Sequence, residues 1–179
     1  MTSESIPGSA GEELNGQEGR LDWFVAHTRP RCEKKLAQFC EREKICATLP
    51  CYRTVHRYRG KTVAFQKPLF PGYVFLHLLA LQRQRIYQSD YVANLLEVID
   101  QELFARQLND ILLALETDLE VHLAPDIKPG CQVRIKTGPL RGVLGWVENR
   151  TGLVQVLLRL DFINQAAAVR IEADNLELV

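Results

Sequence analysis

The texture of the chain changes at Pro125, and this change constrains the fold more than any other feature. Before it, strand-like and helix-like segments alternate. After it, short β-type runs follow one another with turn residues between them. Interleaved strands and helices imply layers of helix on sheet, whereas short strands with frequent turns over roughly 50 residues imply a small barrel. The expected class is α+β: an N-terminal α/β sandwich followed by a small β-barrel. The barrel has little to bury, so its own stability should be marginal.

In the first part, Asp22–His27 reads as a short buried strand. Pro30 suits the first turn of a helix, and Cys32, Leu36, Phe39 and Cys40 follow at helical spacing. Cys46–Val55 and Thr62–Phe65 read as strands around a turn at Arg59-Gly60-Lys61. Tyr73–Leu78 is a central strand, Leu81–Gln88 a short helix and Tyr91–Ile99 a further strand. Leu103–Leu119 is an amphipathic helix with Leu108, Ile111, Leu112 and Leu115 in register. Beyond Pro125, strands are expected at Gln132–Lys136, Val143–Glu148, Val154–Leu160 and Ala168–Ile171. The organisation that follows is a disordered tail over 1–20, a first domain over 21–119, a linker over 120–127 and the barrel over 128–179.

Several function classes are disfavoured. No run approaches the roughly 18 apolar residues of a membrane span. Met1–Arg20 is polar and lacks the basic start and apolar stretch of a signal peptide, so a cytoplasmic protein is expected. The five cysteines form no CxxC pair, and their odd number argues against a disulfide framework. They read as small buried thiols in a reducing compartment, with a metal site from Cys46, Cys51 and a histidine as the alternative. Gly60-Lys61-Thr62 is not a phosphate loop, because Val55 stands where that motif needs glycine and both flanks read as strands. His27, His56, His77 and His122 fit no HExxH pattern; His27 and His77 read as partly buried strand residues. No catalytic constellation, metal or cofactor is expected, which leaves a binding protein.

Charge points the same way. The net charge is zero, yet Arg29–Lys67 holds eleven basic residues against three acidic ones, and Ile86–Asp126 holds nine acidic residues against one basic. Either the two stretches neutralise each other in the fold, or the protein presents a basic patch to phosphates. Arg53, His56, Arg57, Tyr58, Arg59 and Lys61 crowd the predicted hairpin. The cations suit phosphate contacts, and Tyr58 suits stacking on an unpaired base. Arg29, Arg31, Lys34 and Lys35 would lie beside them. The plain alternative is a solvated hairpin whose charges resist edge aggregation.

Pro68-Leu69-Phe70-Pro71-Gly72-Tyr73-Val74-Phe75 is the second distinctive stretch. Two prolines pin the backbone and Gly72 permits an unusual path. The apolar side chains could simply be core, yet Phe70, set between prolines, is expected to be exposed and to anchor a protein partner. Replacing it with alanine should then weaken partner binding without unfolding the chain.

Trp23-Phe24-Val25, Arg29-Pro30-Arg31-Cys32-Glu33-Lys34-Lys35 and PLFPGYVF at 68–75 together resemble the N-terminal (NGN) domain of the NusG family of transcription factors. Lys128–Val147 resembles the KOW motif of the same family. The resemblance implies an NGN α/β domain joined to an SH3-like KOW barrel in a monomer. It implies binding to the clamp helices of the largest catalytic subunit of RNA polymerase, with Phe70 as the contacting aromatic and Leu69, Pro71 and Tyr73 beside it. The basic hairpin would lie near upstream or non-template DNA. Leu140, Val143, Phe162 and Ile163 take the positions through which the barrel binds Rho or a NusE-type ribosomal protein, although Leu140 and Val143 stand where general members carry aromatics. The PLFPGYVF form, the short hairpin and the RPRCEKK helix start resemble the specialised RfaH and UpxY type, antiterminators of particular long operons. A general elongation factor and a ribosomal-type KOW RNA-binding protein are the alternatives.

Overall fold

The computed structural model describes residues 19–58, 60–117, 121–124, 130–150 and 153–179. The expected tail lies almost wholly outside the described residues. β1 (Leu21–Thr28), β2 (Cys46–Thr48), β5 (Tyr73–Leu79) and β6 (Val92–Glu97) form an antiparallel sheet in the order β2-β5-β1-β6. α1 (Glu33–Arg42) and α2 (Arg83–Gln88) cover one face, where Phe24 and Ala26 of β1 meet Leu36, Cys40 and Ile86. α3 (Gln101–Leu115) covers the other, where Val25 and Phe75 meet Phe104, Leu108 and Ile111. With both faces covered, β1 has to be apolar on consecutive positions, which is why Trp23-Phe24-Val25-Ala26 does not alternate.

The expected Cys46–Val55 strand is split by Pro50, which cannot donate to a ladder. β2 stays in the main sheet. β3 (Cys51–Tyr58) leaves it and pairs with β4 (Lys61–Pro68) as a separate two-stranded ribbon.

α3 starts at a capped N-terminus, where the Leu103 N–H donates to the Asp100 carboxylate at 2.9 Å. Gln101, the first helical residue, works on the sheet edge instead. The Trp23 N–H donates to its Oε1 at 2.6 Å, and its Nε2 donates to the Trp23 and Val98 carbonyls at 3.1 and 2.7 Å. The side-chain amide takes over from β6 where that strand ends at Glu97, and ties the start of α3 to β1.

The second part is a six-stranded antiparallel sheet in the order β12-β8-β9-β10-β11-β7. Its strands are β7 (Val121–Ala124), β8 (Gln132–Ile135), β9 (Leu144–Arg150), β10 (Leu153–Leu160), β11 (Gln165–Arg170) and β12 (Leu176–Leu178). Among the described residues the order is linear, with β7 and β12 at the two edges and no ladder joining them. Gly145 is required in β9: a Cβ there would stand 2.3 Å from Val156 Cγ1 and 3.0 Å from the Leu157 carbonyl oxygen.

One expectation changes. Residues 120–127 were expected as a linker, yet Val121–Ala124 is β7, paired with β11 from Val121↔Val169 to Ala124↔Ala166. The two parts also share a core. One apolar cluster runs from Leu69, Phe70 and Phe75 through Phe104, Leu108 and Ile111 to Val156, Leu158 and Leu160. Phe104 meets Phe162 edge-on at 6.0 Å, and Gln107 and Asp161 exchange two hydrogen bonds, at 2.6 and 3.0 Å. α3 therefore packs on sheets from both parts.

Gln101→Ala should lower the unfolding free energy by about 1–3 kcal/mol, since it removes the acceptor of the part-buried Trp23 N–H and the donor to the Val98 carbonyl. Urea denaturation checks this; an unchanged midpoint would show that water replaces the amide.

Candidate binding surfaces

The β3–β4 ribbon pairs with no other described strand, so both of its faces depend on their own side chains. The register sets the faces. Tyr52/Lys67, Thr54/Phe65 and His56/Val63 share one; Arg53/Gln66, Val55/Ala64 and Arg57/Thr62 share the other. Tyr52 packs on the main core and roots the ribbon. Beyond it the ribbon is bare: Val55, Phe65 and Val63 are 54%, 48% and 39% exposed. His56 meets Phe65 edge-on at 5.9 Å, and Lys67 Nζ donates to His56 Nε2 at 3.3 Å.

The basic residues expected here divide. His56, Arg57 and Lys61 are exposed on the ribbon. Arg59 and the side chain of Tyr58 lie outside the described residues. Lys34 Nζ donates to the Gln66 carbonyl at 2.6 Å, which places the start of α1 against the ribbon. It also opposes the effect of burial on the nearby Cys51 thiol, whose pKa burial raises. Arg31 and Lys35 are exposed, and Arg29 pairs loosely with Asp90 at 3.6 Å. Val63 and Phe65 were not singled out in the sequence; an apolar residue in a strand ordinarily signals core.

Leu69–Tyr73 differs more sharply. Phe70 is 1% exposed and Leu69 is fully buried, with Phe70 edge-on to Phe75 at 5.9 Å. The expectation of an exposed anchor at Phe70 is therefore corrected. The Leu69 N–H donates to the Pro50 carbonyl, which turns the segment inward before Pro71 turns it out again. Pro71 is exposed, and Tyr73 is half-buried, stacked on His27 at 5.4 Å. Gly72 has φ +87°, with its N–H donating to Glu33 Oε1 at 2.8 Å and the His27 ring 3.7 Å from where a Cβ would stand. His27 is exposed at this edge and His77 is half-buried, stacked on Trp23 at 4.7 Å.

In the second part, Leu140 and Val143 are 1% and 6% exposed, so they are core residues. Phe162 and Ile163 are half-buried against the shared cluster. A cleft of about 460 Å³ runs between α3 and this sheet, walled by Arg106, Asp110, Arg141, Trp146 and Arg159. Arg159 lies over the Trp146 ring at 4.7 Å and pairs with Asp161 at 2.9 Å. Burial raises the pKa of Asp110, against the pull of Arg106.

Of the cysteines only Cys40 is buried, its thiol pushed up to about 11 by burial; Cys32 and Cys51 are half-buried, and Cys46 and Cys131 are exposed. Among the described residues no group of three or more His, Cys, Asp or Glu could hold a metal ion, and no helix is long and apolar enough to cross a membrane.

Residues 21–104 match the family model described as "Transcription termination factor nusG". Over this stretch the chain is similar to the NusG family. The match takes in the ribbon, the Leu69–Tyr73 segment and the sheet that carries them, and it ends at Phe104, in the first turns of α3. No curated protein matches the chain. Among solved structures, one titled "Domain interaction in Thermotoga maritima NusG" has a TM-score of 0.51 at 18% identity, covering 89% of this chain and 98% of that one. Another, an MjSpt4:Spt5 complex, has a TM-score of 0.29 at 16% identity, covering 88% and 96%. The likeness to the Thermotoga NusG structure extends the shared fold past the NusG match into the second sheet.

Phe70→Ala should destabilise the first part of the chain by about 3–5 kcal/mol, the usual range for emptying a buried phenylalanine site; thermal or chemical denaturation measures it, and a loss below about 1 kcal/mol would contradict the burial. Asp110 gives a pH signature. A carboxyl whose folded pKa lies above its unfolded value makes stability fall as pH rises from the ordinary aspartate range through the folded pKa. Asp110→Asn should flatten that fall and leave the protein more stable above the window; identical pH profiles for the two proteins would remove this assignment.

Proposed function

We propose that this chain is a non-catalytic, NusG-type transcription elongation factor that docks on RNA polymerase through the apolar side of its first domain and suppresses pausing or termination. The observation that carries this reading is the family match over 21–104, because that one stretch holds both the Leu69–Tyr73 segment and the basic ribbon. The partner we infer for the segment is the clamp-helix pair of the largest catalytic subunit. For the ribbon, with Arg29, Arg31, Lys34 and Lys35 behind it, the partner is upstream or non-template DNA. The domains we assign are an NGN domain over 21–119 and a KOW domain of SH3-like type over 128–179. The protein would act in the cytoplasm as a monomer. PLFPGYVF, RPRCEKK and the short ribbon favour the specialised branch, acting on particular long operons.

The burial of Leu69 and Phe70 bears directly on how docking proceeds. A contact made through them requires the apolar cluster to open, and Pro71 and Tyr73 at the edge are what polymerase meets first. A partner of the KOW domain, whether Rho or a NusE-type ribosomal protein, meets Phe162 and Ile163 before the buried Leu140 and Val143. The Phe104–Phe162 contact and the paired Gln107–Asp161 bonds hold the two parts together and oppose opening.

Binding of the purified full chain to RNA polymerase tests the reading. Tyr73→Ala should weaken it, and the double variant Gln107→Ala, Phe162→Ala should strengthen it by up to about tenfold, because apparent affinity rises with the open fraction. No measurable binding by the unaltered chain and the double variant alike would sink the proposal. Chromatin immunoprecipitation then separates the branches: signal confined to a few long operons marks the specialised factor, and signal following polymerase over most genes marks the general one.

A further inference from the structure

We propose that the cleft between α3 and the second sheet is a binding site for a small organic monoanion, whose carboxylate lies beside Arg141 and whose apolar body lies against the leucines of the walls. The site rests on the shared packing of α3 and the second sheet, and not on the polymerase reading given above.

Three observations carry it. The first is the size and make-up of the cleft. Its volume of about 460 Å³ lies within the range of small-molecule sites. Leu103 and Leu113 line it from α3, and Leu144 and Leu158 from the sheet. Leu144 keeps 38% of its surface open. Apolar walls with a few placed charges suit a ligand that has an apolar body and one polar end.

The second is charge. Arg106, Arg141 and Arg159 line the cleft against Asp110 and Asp161, which leaves one positive charge over. Two of the cations are engaged. Burial raises the Asp110 pKa, and Arg106, four residues earlier on α3, opposes that rise. Arg159 pairs with Asp161 at 2.9 Å, while Asp161 also accepts from the Gln107 amide at 2.6 Å. Arg141 is exposed and is in no ion pair with a described residue. The Arg159 guanidinium is itself only partly satisfied, since its Nε is buried with no hydrogen-bond partner among the described residues. A buried donor without an acceptor is costly, so this side of the cleft gains from a negative charge brought near it. A surplus of one charge beside apolar walls fits a monoanion with an apolar body. Inorganic phosphate would leave the leucines bare, and a neutral molecule would leave Arg141 without a counter-charge.

The third is that the cations are held in place. Arg141 sits in the turn between β8 and β9. Its N–H donates to the Gly138 carbonyl at 3.1 Å, and the Gly142 N–H donates to the Ile135 carbonyl at 2.8 Å. Gly142 supplies the φ of +89° that this turn needs, and the buried Leu140 anchors it. The Arg159 guanidinium is held over the Trp146 ring at 4.7 Å. With the Arg141 backbone and the Arg159 side chain already placed, little ordering remains for a ligand to impose. A ligand seated there touches α3 and the second sheet at once, so it binds their packed arrangement and stabilises it.

The test uses the full chain and three probes: naphthoate, the neutral naphthamide and inorganic phosphate, each followed by equilibrium dialysis and by thermal unfolding. Naphthoate should bind saturably with a Kd of about 1 mM or tighter, the affinity expected of a ligand of that size, and should raise the unfolding midpoint. Naphthamide and phosphate should each bind at least about tenfold more weakly. Arg141→Ala should weaken naphthoate binding by about tenfold, the low end for a hydrogen bond to a charged group, because the side chain is exposed. Asp110→Asn should act in the opposite direction and tighten it by up to about fivefold, since a like charge leaves the wall. Arg141 is exposed, so its variant should keep the unligated unfolding midpoint, and Arg141→Lys, which keeps the charge, should recover part of the binding. No saturable binding of naphthoate up to about 10 mM overturns the site. Equal binding of naphthamide or of phosphate overturns the ligand class, and an unchanged affinity in Arg141→Ala overturns the assigned cation. None of these readings involves polymerase, whose docking is measured separately.

Discussion

Phe104 is in ring contact with Trp23, Phe75 and Phe162, residues of β1, β5 and the second sheet's turn after β10. It is the point through which the aromatic side of the first sheet and the apolar side of the second sheet become one core. A helix normally buries one stripe, and α3 does so with Phe104, Leu108 and Ile111. Here the stripe is flanked by Leu112, Leu113 and Leu115, which are also drawn into the cluster. The helix is apolar enough to serve two sheets at once. Without that double packing the second sheet would have no neighbour, and Phe70 and Phe75 would be missing part of the cluster that buries them.

This arrangement sorts the molecule's interaction chemistry into two kinds. The apolar residues of Leu69–Phe70 are inside, part of a core that has to loosen before a partner can reach them. The ribbon is outside, with nothing to loosen, and its exposed aromatic and cationic residues are available as they stand. A surface built of charged and half-open side chains costs little to leave exposed, whereas a cluster of phenylalanines does not stay in water when another apolar surface is within reach. The hydrogen bonds between Gln107 and Asp161 fix where the second sheet meets α3; the buried rings supply most of the attraction.

Much of the fold was legible in the chain. β1, α1, the ribbon turn, β5, α2, β6 and α3 fall where hydrophobic period and turn residues put them, and the change of texture at Pro125 marked the passage to an all-β region. The misses have specific causes. β7 and β12 are four and three residues long and lie at the two edges of the second sheet, where pairing with β11 and β8 makes them strands. The split at Pro50 was signalled by the proline, but which sheet each half would join was not. At the sites, the basic character of the ribbon and the presence of Lys34 beside it were readable; the exposure of Val63 and Phe65 was not, because apolar residues in a strand look the same whether or not a neighbour covers them. Phe70 failed in the opposite direction: flanking prolines suggested an exposed tip, and the Pro50 carbonyl turned the segment inward.

By itself the sequence determined the local elements and the segregation of charge, since these rest on spacing, turn chemistry and composition along a continuous stretch; the type of the first domain came from the resemblance its motifs carry. Only the tertiary structure decided which apolar residues are covered and that the two parts share a core. Burial is a property of what lies opposite a side chain, and for Phe70, Phe104 and Leu140 much of what lies opposite comes from residues distant in the chain.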